Sequence, residues 1–381
     1  MYKFNLTSIF KRLLPALWLL ANTCTAADWS EVQAEARGDT VYFYAWGGSD
    51  DVNRYLRWAD GELNRRYGVR LKHVKVPDIA QAVQRLQVDA QAGRLDGGAI
   101  DLLWVNGENF HVLKRDNLLL PDVLTAVPNS ADLLHDKLPL ASDFGVPVDG
   151  LEVPWGIGQF NLIARDNSFA DAAINAAQLL DFAKQNPGKL SYPKPPDFIG
   201  TTLLKSLLLD LTDSDPRLYQ PASETAMAQL LPVLWQYLDK LHPMLWEGGT
   251  VFAQSSAQQL QWLADAKLSV AFSFNPQELA AKVEASRLPR NVQQHYFSVG
   301  AITNSHYLAI PRNASHSAAA KVAINFLISE KAQQRKADTA YWGDPAVVDL
   351  PEGGTLLPSA TELHASWQNA LEQRWLQRYQ R

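Results

Sequence analysis

Apolar positions along this chain switch between two periods, and the switches mark out the first half of the protein. Residues 41–45, Val-Tyr-Phe-Tyr-Ala, form the β-branched and aromatic run expected of a buried strand. The run stops at Trp46-Gly47-Gly48-Ser49-Asp50-Asp51, and helical spacing takes over. Val52, Tyr55, Leu56, Ala59, Leu63 and Tyr67 fall on one stripe that Gly68 ends. Residues 69–76 alternate apolar and polar, a second strand closed by Pro77. Asp78 heads a second helix with Ile79, Val83, Leu86 and Ala90 as its stripe. Residues 100–105 then form an apolar run interrupted only by Asp101, the pattern of a strand buried on both faces. This β-α-β-α-β order predicts right-handed crossovers and a parallel sheet.

Further on, two long extended segments stand out. Residues 151–163 are broken by Gly156 and Gly158, and residues 292–311 form the second; both are suited to crossing between domains. Between them lie a helix at 171–185, a short strand at 189–193 and a mostly helical stretch at 199–267. In that stretch Leu203, Leu204, Leu207 and Leu208 make a buried face. A buried strand at 268–274 ends in Asn275-Pro276, and helices fill 315–338. The fold class is therefore α/β, two lobes each with a mostly parallel sheet flanked by helices, joined by hinge strands. Lobe 1 is expected to hold residues 28–156 and 299–340, and lobe 2 residues 157–298 and 341–381.

Residues 1–27 need separate treatment. Lys3, Lys11 and Arg12 precede the apolar stretch 13–21, and small residues follow, which is the layout of a secretory signal peptide cleaved near Ala26 or Ala27. Its removal takes the formal charge from −5 to −8 and removes Cys24, the one cysteine among 381 residues. The mature protein is then expected in the periplasm without a disulfide, so its stability rests on core size. Thiolate metal sites and cysteine nucleophiles are excluded with the cysteine. A mildly acidic exported chain without basic runs is a poor candidate for nucleic-acid binding.

Where strands end, the same residue types recur: an aromatic, glycine, asparagine and an acid. The loops Trp46-Gly47-Gly48-Ser49 and Asn106-Gly107-Glu108-Asn109-Phe110 carry this pattern, as does the crossing Val153-Pro154-Trp155-Gly156. Together with Tyr67-Gly68-Val69 and Tyr307-Leu308-Ala309-Ile310-Pro311-Arg312-Asn313-Ala314, they resemble the extracellular solute-binding proteins of ABC importers, and more narrowly the YnjB-like branch. The resemblance covers essentially the whole mature chain. It implies the two-lobed periplasmic-binding-protein fold, a small-molecule solute held between the lobes, and delivery to an ABC permease in the inner membrane. The binding protein is expected to be a monomer and to need no cofactor and no metal.

In open α/β sheets ligands sit beyond the carboxyl ends of the strands. The candidate ligand-binding residues are accordingly Trp46, Gly47, Gly48, Ser49, Asn106, Glu108, Asn109, Trp155, Asn275 and Asn304. Each has a structural alternative. Ser49 and Asn106 would serve as helix caps, Trp155 would pack the hinge, and Asn275 before proline is ordinary turn chemistry. Thr303, Trp246, Glu247, Tyr341 and Trp342 are further members of the same pattern, left open between cleft and packing. Acids combined with tryptophans suit an organic cation or a neutral polar solute better than an anion. The alternative is a secreted hydrolase acting on a small polar or glycosidic substrate, with Asp101 and Glu108 as an imaginable carboxylate pair. It has no G-x-S-x-G or H-E-x-x-H motif to support it, and the eight histidines lack ligand-type spacing. A surface lectin is the third class, distinguished by several shallow sites and no closure.

Overall fold

The computed structural model describes residues 26–136, 138–351 and 356–380. The expected signal segment, except for its last two positions, lies outside them. After helix α1 (Ala26–Ala36), strand β1 (Thr40–Trp46) buries Val41, Phe43 and Ala45 on alternate positions and pairs in parallel with β2 (Arg70–Val76) and β3 (Leu102–Val105). Between them run α2 (Asp50–Tyr67) and α3 (Ala80–Gln91). Ser49 caps α2 by accepting from the Val52 amide, and Gly68 ends it at φ +70°, a conformation glycine adopts without strain. Helix α4 (Gly107–Arg115) leaves the end of β3, followed by the short α5 (Val123–Ala126) and a two-residue hairpin, β4 (Ser142–Asp143) and β5 (Val146–Pro147).

The first crossing is β6 (Glu152–Gln159) and β7 (Asn161–Arg165), separated by Phe160 alone. Beyond it come β8 (Ala173–Ile174), α6 (Ala176–Gln185), α7 (Phe198–Leu211), α8 (Glu224–Leu241), α9 (Ser256–Ala264), β9 (Val270–Ser273) and α10 (Glu278–Glu284). The return crossing is β10 (Val292–Phe297) and β11 (Ala301–Ala309). Helices α11 (Ser317–Leu327) and α12 (Glu330–Ala337), strand β12 (Ser359–Thr361) and helix α13 (Ser366–Tyr379) complete the chain.

These strands make two main sheets. One has the order β12-β11-β3-β1-β2 with β6 also on β11, and the other the order β8-β10-β7-β9. Both extended segments thus pass from one sheet to the other, as their patterns predict. They also make the sheets mixed. A hinge strand enters its sheet directly rather than by a helical crossover, so β11 runs antiparallel to β3 and β6, and β7 antiparallel to β9 and β10.

Two stretches differ from the sequence reading. Residues 189–193 bury Leu190 and Tyr192 but form no regular strand; Pro193 makes a single bridge to Ala253, where proline supplies no donor to extend a ladder. Residues 341–350, expected in lobe 2, pack with the first sheet: Trp342, Val347 and Val348 lie in its core with Phe43, Tyr55 and Phe326. The last passage between lobes comes later, where β12 pairs with β11 and α13 inserts Trp367, Leu371 and Trp375 into the core of the second lobe.

Candidate functional site

The two lobes enclose a cleft of about 660 Å³, within the size range of small-molecule sites. Its first wall comes from the loops after β1 and β3. Trp46, 44% exposed, presents its indole there, held over Gly48 so closely that a Cβ would lie 2.4 Å from the ring. Gly47 and Gly48 themselves do not reach the wall; their role is to admit the Trp46 ring and, at Gly47, the Lys75 stem. Ser49 lines the cleft and caps α2 at the same time.

The loop after β3 behaves differently from a simple cap. Asn106 makes no side-chain capping bond to α4. The amide of Gly107 is instead satisfied by Asp143 Oδ2 at 2.6 Å, reaching in from the β4–β5 hairpin. Asn106, Glu108 and Asn109 all line the cleft. Burial pushes the Glu108 carboxyl above its ordinary range; Lys205 opposes this, Asp78 adds to it, and Asn369 on α13 hydrogen-bonds it.

From the opposite side come Phe198, Phe274 and Asn275, with Asp197 at the N-terminus of α7 and Glu278 at that of α10. Asn275 keeps its turn chemistry as well, accepting from the Gln277 amide at 2.9 Å. Asn304 reaches the cleft from the hinge strand and donates to Glu362 at 2.8 Å. Neighbouring Thr303 is occupied with Gln159 and lies outside the lining.

Trp155 does not contribute to the wall. It is fully buried and meets Trp104 and Trp342 at 5.2 Å in edge-on contacts, with Phe43 on another side. It packs the hinge, and the rings in front of it, Trp104 and Trp342, line the cleft in its place. Tyr341, Trp246 and Glu247 are not part of the lining either; Trp246 stacks near Trp262 instead.

Beneath these rings lies a charged floor. His306 Nε2 sits 3.0 Å from Asp344 Oδ2, and Lys336, fully buried, bonds the same carboxylate and the Pro345 carbonyl at 2.7 Å. Burial pushes the Asp344 carboxyl up, yet Lys336 and His306 outweigh it and hold the group below its usual range. Burial also pushes the Lys336 ammonium down, which Asp344 only partly offsets. Gly156 on β6 makes room for the cluster: a Cβ there would stand 2.1 Å from Asp344 Oδ2.

Among the described residues, seven carboxylates line the cleft (Asp51, Asp78, Glu108, Asp197, Glu278, Asp344 and Glu372) against one lysine, Lys282. Lys282 is already engaged, bridging the lobes to Asp51 at 3.1 Å, with Arg287 at 3.5 Å on the same carboxylate. Such partly exposed pairs contribute about 0–1 kcal/mol. Lys282→Ala is therefore expected to weaken solute affinity by about fivefold at most, read in a binding titration; a larger loss would make the lysine a direct contact.

Sequence reasoning missed Trp104, which it counted as strand interior, and His306 and Glu372; Asp344 it placed in the segment 341–344, weighed between cleft and hinge cap. Trp104 was findable from its place as the last ring before a strand end; the others come from segments without a strand-end signal. Asp101 is no partner of Glu108, since its carboxylate accepts from the Tyr42 and His316 amides, both at 2.9 Å. Among the described residues, no group of three or more His, Cys, Asp or Glu side chains is arranged to hold a metal ion. Nor is any described helix long and apolar enough to cross a membrane.

Comparison with known proteins bears on this geometry. Residues 58–353 match the family described as bacterial extracellular solute-binding protein. The chain is 44% identical over 380 residues to Protein YnjB of Escherichia coli K12, covering 96% of this chain and 98% of that one. Among solved structures, the periplasmic binding protein AfuA of Actinobacillus pleuropneumoniae, with fructose-6-phosphate bound, superposes with a TM-score of 0.64 at 13% identity over 90% of this chain and 99% of its own. The ferric binding protein of Campylobacter jejuni gives 0.62 at 13% identity, over 89% and 98%. The spermidine/putrescine binding protein PotD of Streptococcus pneumoniae gives 0.59 at 13%, over 80% and 82%. At these identities the structures share the fold, while the solutes they are named for differ in chemical class.

Proposed function

The chain belongs to the bacterial extracellular solute-binding proteins of ABC transporters, and on that premise we propose that it captures a small polar or cationic solute in the inter-lobe cleft and presents it to a permease in the inner membrane. It does so as a periplasmic monomer, closing about the two hinge strands, a motion known for this class of fold. Closure needs a solute that binds the closed state better than the open one, and a wall contributed by both lobes meets that requirement. The observation that carries the reading is the lining itself: seven carboxylates, with Trp46, Trp104 and Trp342, against a single lysine that is already paired. A cation gains both charge attraction and contact with ring faces there. An anion would find Lys282 and His306 in the lining already engaged with Asp51 and Asp344.

The site residues proposed for this are Trp46, Ser49, Asn106, Glu108, Asn109, Asn275 and Asn304, with Trp104 and Trp342 added. A hydrolase finds no comparable support, because members of this family bind solutes rather than convert them. The test is a tryptophan-fluorescence titration of the mature protein against cations, sugars, amino acids and oxyanions. Trp46→Ala is expected to weaken binding about 3- to 30-fold, the range of a partly desolvated cation–π contact. Its melting temperature should stay within a few degrees of the parent, because Trp46 is exposed. A lowered melting temperature with unchanged affinity would remove Trp46 from the site.

A further inference from the structure

Two carboxylates of the cleft face each other from opposite lobes. Glu108 stands in the first turn of α4, on lobe 1, and Glu372 on α13, packed on lobe 2. Both line the same cleft, and Asn369, three residues before Glu372 on α13, hydrogen-bonds Glu108 across the lobes. Resting on the reading of the cleft as a solute site, we propose that the solute carries a cationic group seated between Glu108 and Glu372.

The surroundings leave this pair without a counter-charge of its own. Glu372 accepts from the Thr201 hydroxyl at 3.0 Å, a neutral partner on α7. Among the described residues the cation nearby is Lys205 on α7, which is 1% exposed and committed elsewhere. It donates to Gln368 at 3.0 Å, lies 3.4 Å from Glu362 and rests 4.7 Å above the Phe144 ring. Asp78, before α3, adds another negative charge facing Glu108. Glu108, Glu372 and Glu362 are thus three acids around one lysine, with Asp78 acting on Glu108 as a fourth negative group. Beside them the cleft is aromatic and about 660 Å³ in volume, so the missing positive charge has room to arrive with a solute.

The titration behaviour agrees with the geometry. Burial pushes the Glu372 carboxyl up to about 7 over the opposing bond from Thr201; Glu108 adds to the rise, and Lys205 and Gln368 take from it. Glu108 is raised as well. Close to pH 7 the Glu372 carboxyl is therefore partly protonated. A cation binds the ionised form, so binding expels the proton. Affinity should be full at pH 8 and weaken as pH falls through 7, by at most tenfold per unit for one displaced proton.

The experiment titrates the mature protein with benzylamine, 1,4-diaminobutane and choline, and with the neutral and anionic counterparts benzyl alcohol, 1,4-butanediol and benzoate, at pH 6 and pH 8. Fluorescence gives the affinity, and calorimetry in two buffers of different ionisation enthalpy gives the proton count. The expected result is saturation by at least one cation and not by its neutral counterpart, with affinity about tenfold lower at pH 6 and proton release there. E372Q should lose tenfold or more at pH 8 and show a flat pH profile, while circular dichroism confirms that it is folded. Glu108→Gln, on the other lobe, should lose affinity in the same way. Saturation by a neutral or anionic solute instead, or a pH dependence that survives in E372Q, overturns the seating of a cation between Glu108 and Glu372 and leaves solute capture standing. If no solute of any class alters the fluorescence, the reading of the cleft as a solute site fails, and this proposal falls with it.

Discussion

Asp344→Ala is expected to cost the folded protein about 3–5 kcal/mol, the range seen when one partner of a buried ion pair is removed. The reason lies with Lys336 more than with the lost carboxylate. Lys336 is fully buried, and without Asp344 its ammonium keeps backbone carbonyls such as that of Pro345 and the face of the Trp342 ring, but no counter-ion among the described residues. His306 Nε2 loses its partner too. Denaturant unfolding at several pH values checks the argument. Wild-type Lys336 already sits below its ordinary range because burial opposes its charge; without Asp344 its folded-state value falls further. The unfolded chain then binds more protons than the folded one through the alkaline range, so the variant regains stability as pH rises toward the unfolded lysine value. A deficit that is small, or that does not shrink with pH, would mean the lysine is not held as a charge. Lys336→Met in the same background should recover part of the loss, since an apolar side chain needs no counter-ion.

That cluster also marks where sequence reading reaches its limit. The central strands were legible because burial on alternate or on both faces leaves a pattern within a few residues, as in 41–45 and 100–105. The hinge strands were legible for the same reason, and the loops at strand ends followed from the geometry of α/β sheets. Side-chain direction was not. Trp155 and Trp104 are both tryptophans in buried strands, yet Trp155 is sealed behind Trp104, and that order depends on how β6, β11 and β3 stack across a hundred and more residues of sequence. Asp344 and Lys336 are eight residues apart, and nothing in the pattern of 336–344 pairs their charges. Only the packing of 341–350 against the first sheet buries them. Glu372 lies on a helix whose contacts are almost all long-range, so nothing local announces that it faces Glu108.

Gly156→Ala should be the most damaging single methyl addition in the hinge, with a loss of about 3 kcal/mol or more where overpacking alone costs about 1–3. Its Cβ would stand 2.1 Å from Asp344 Oδ2 and 2.2 Å from His306 Nε2, two groups already pinned to each other and to Lys336. Relief requires moving the carboxylate away from the lysine, so the steric cost and the ion-pair cost arrive together. Gly158, two residues along the same strand, supplies the contrast. A Cβ there would meet the Phe274 ring at 2.3 Å, and Phe274 is a half-buried cleft residue of the other lobe. Turning the ring relieves most of that clash and a small shift of the lobes relieves the remaining 3.0 Å contact with the Phe274 carbonyl; neither breaks an ion pair. Gly158→Ala is therefore expected to lose solute affinity with a smaller stability loss, and Gly156→Ala to lose stability first. Thermal unfolding and fluorescence titration of the two variants side by side decide it. Equal unfolding losses would mean that β6 is constrained along its whole length, and that closure does not act through Phe274.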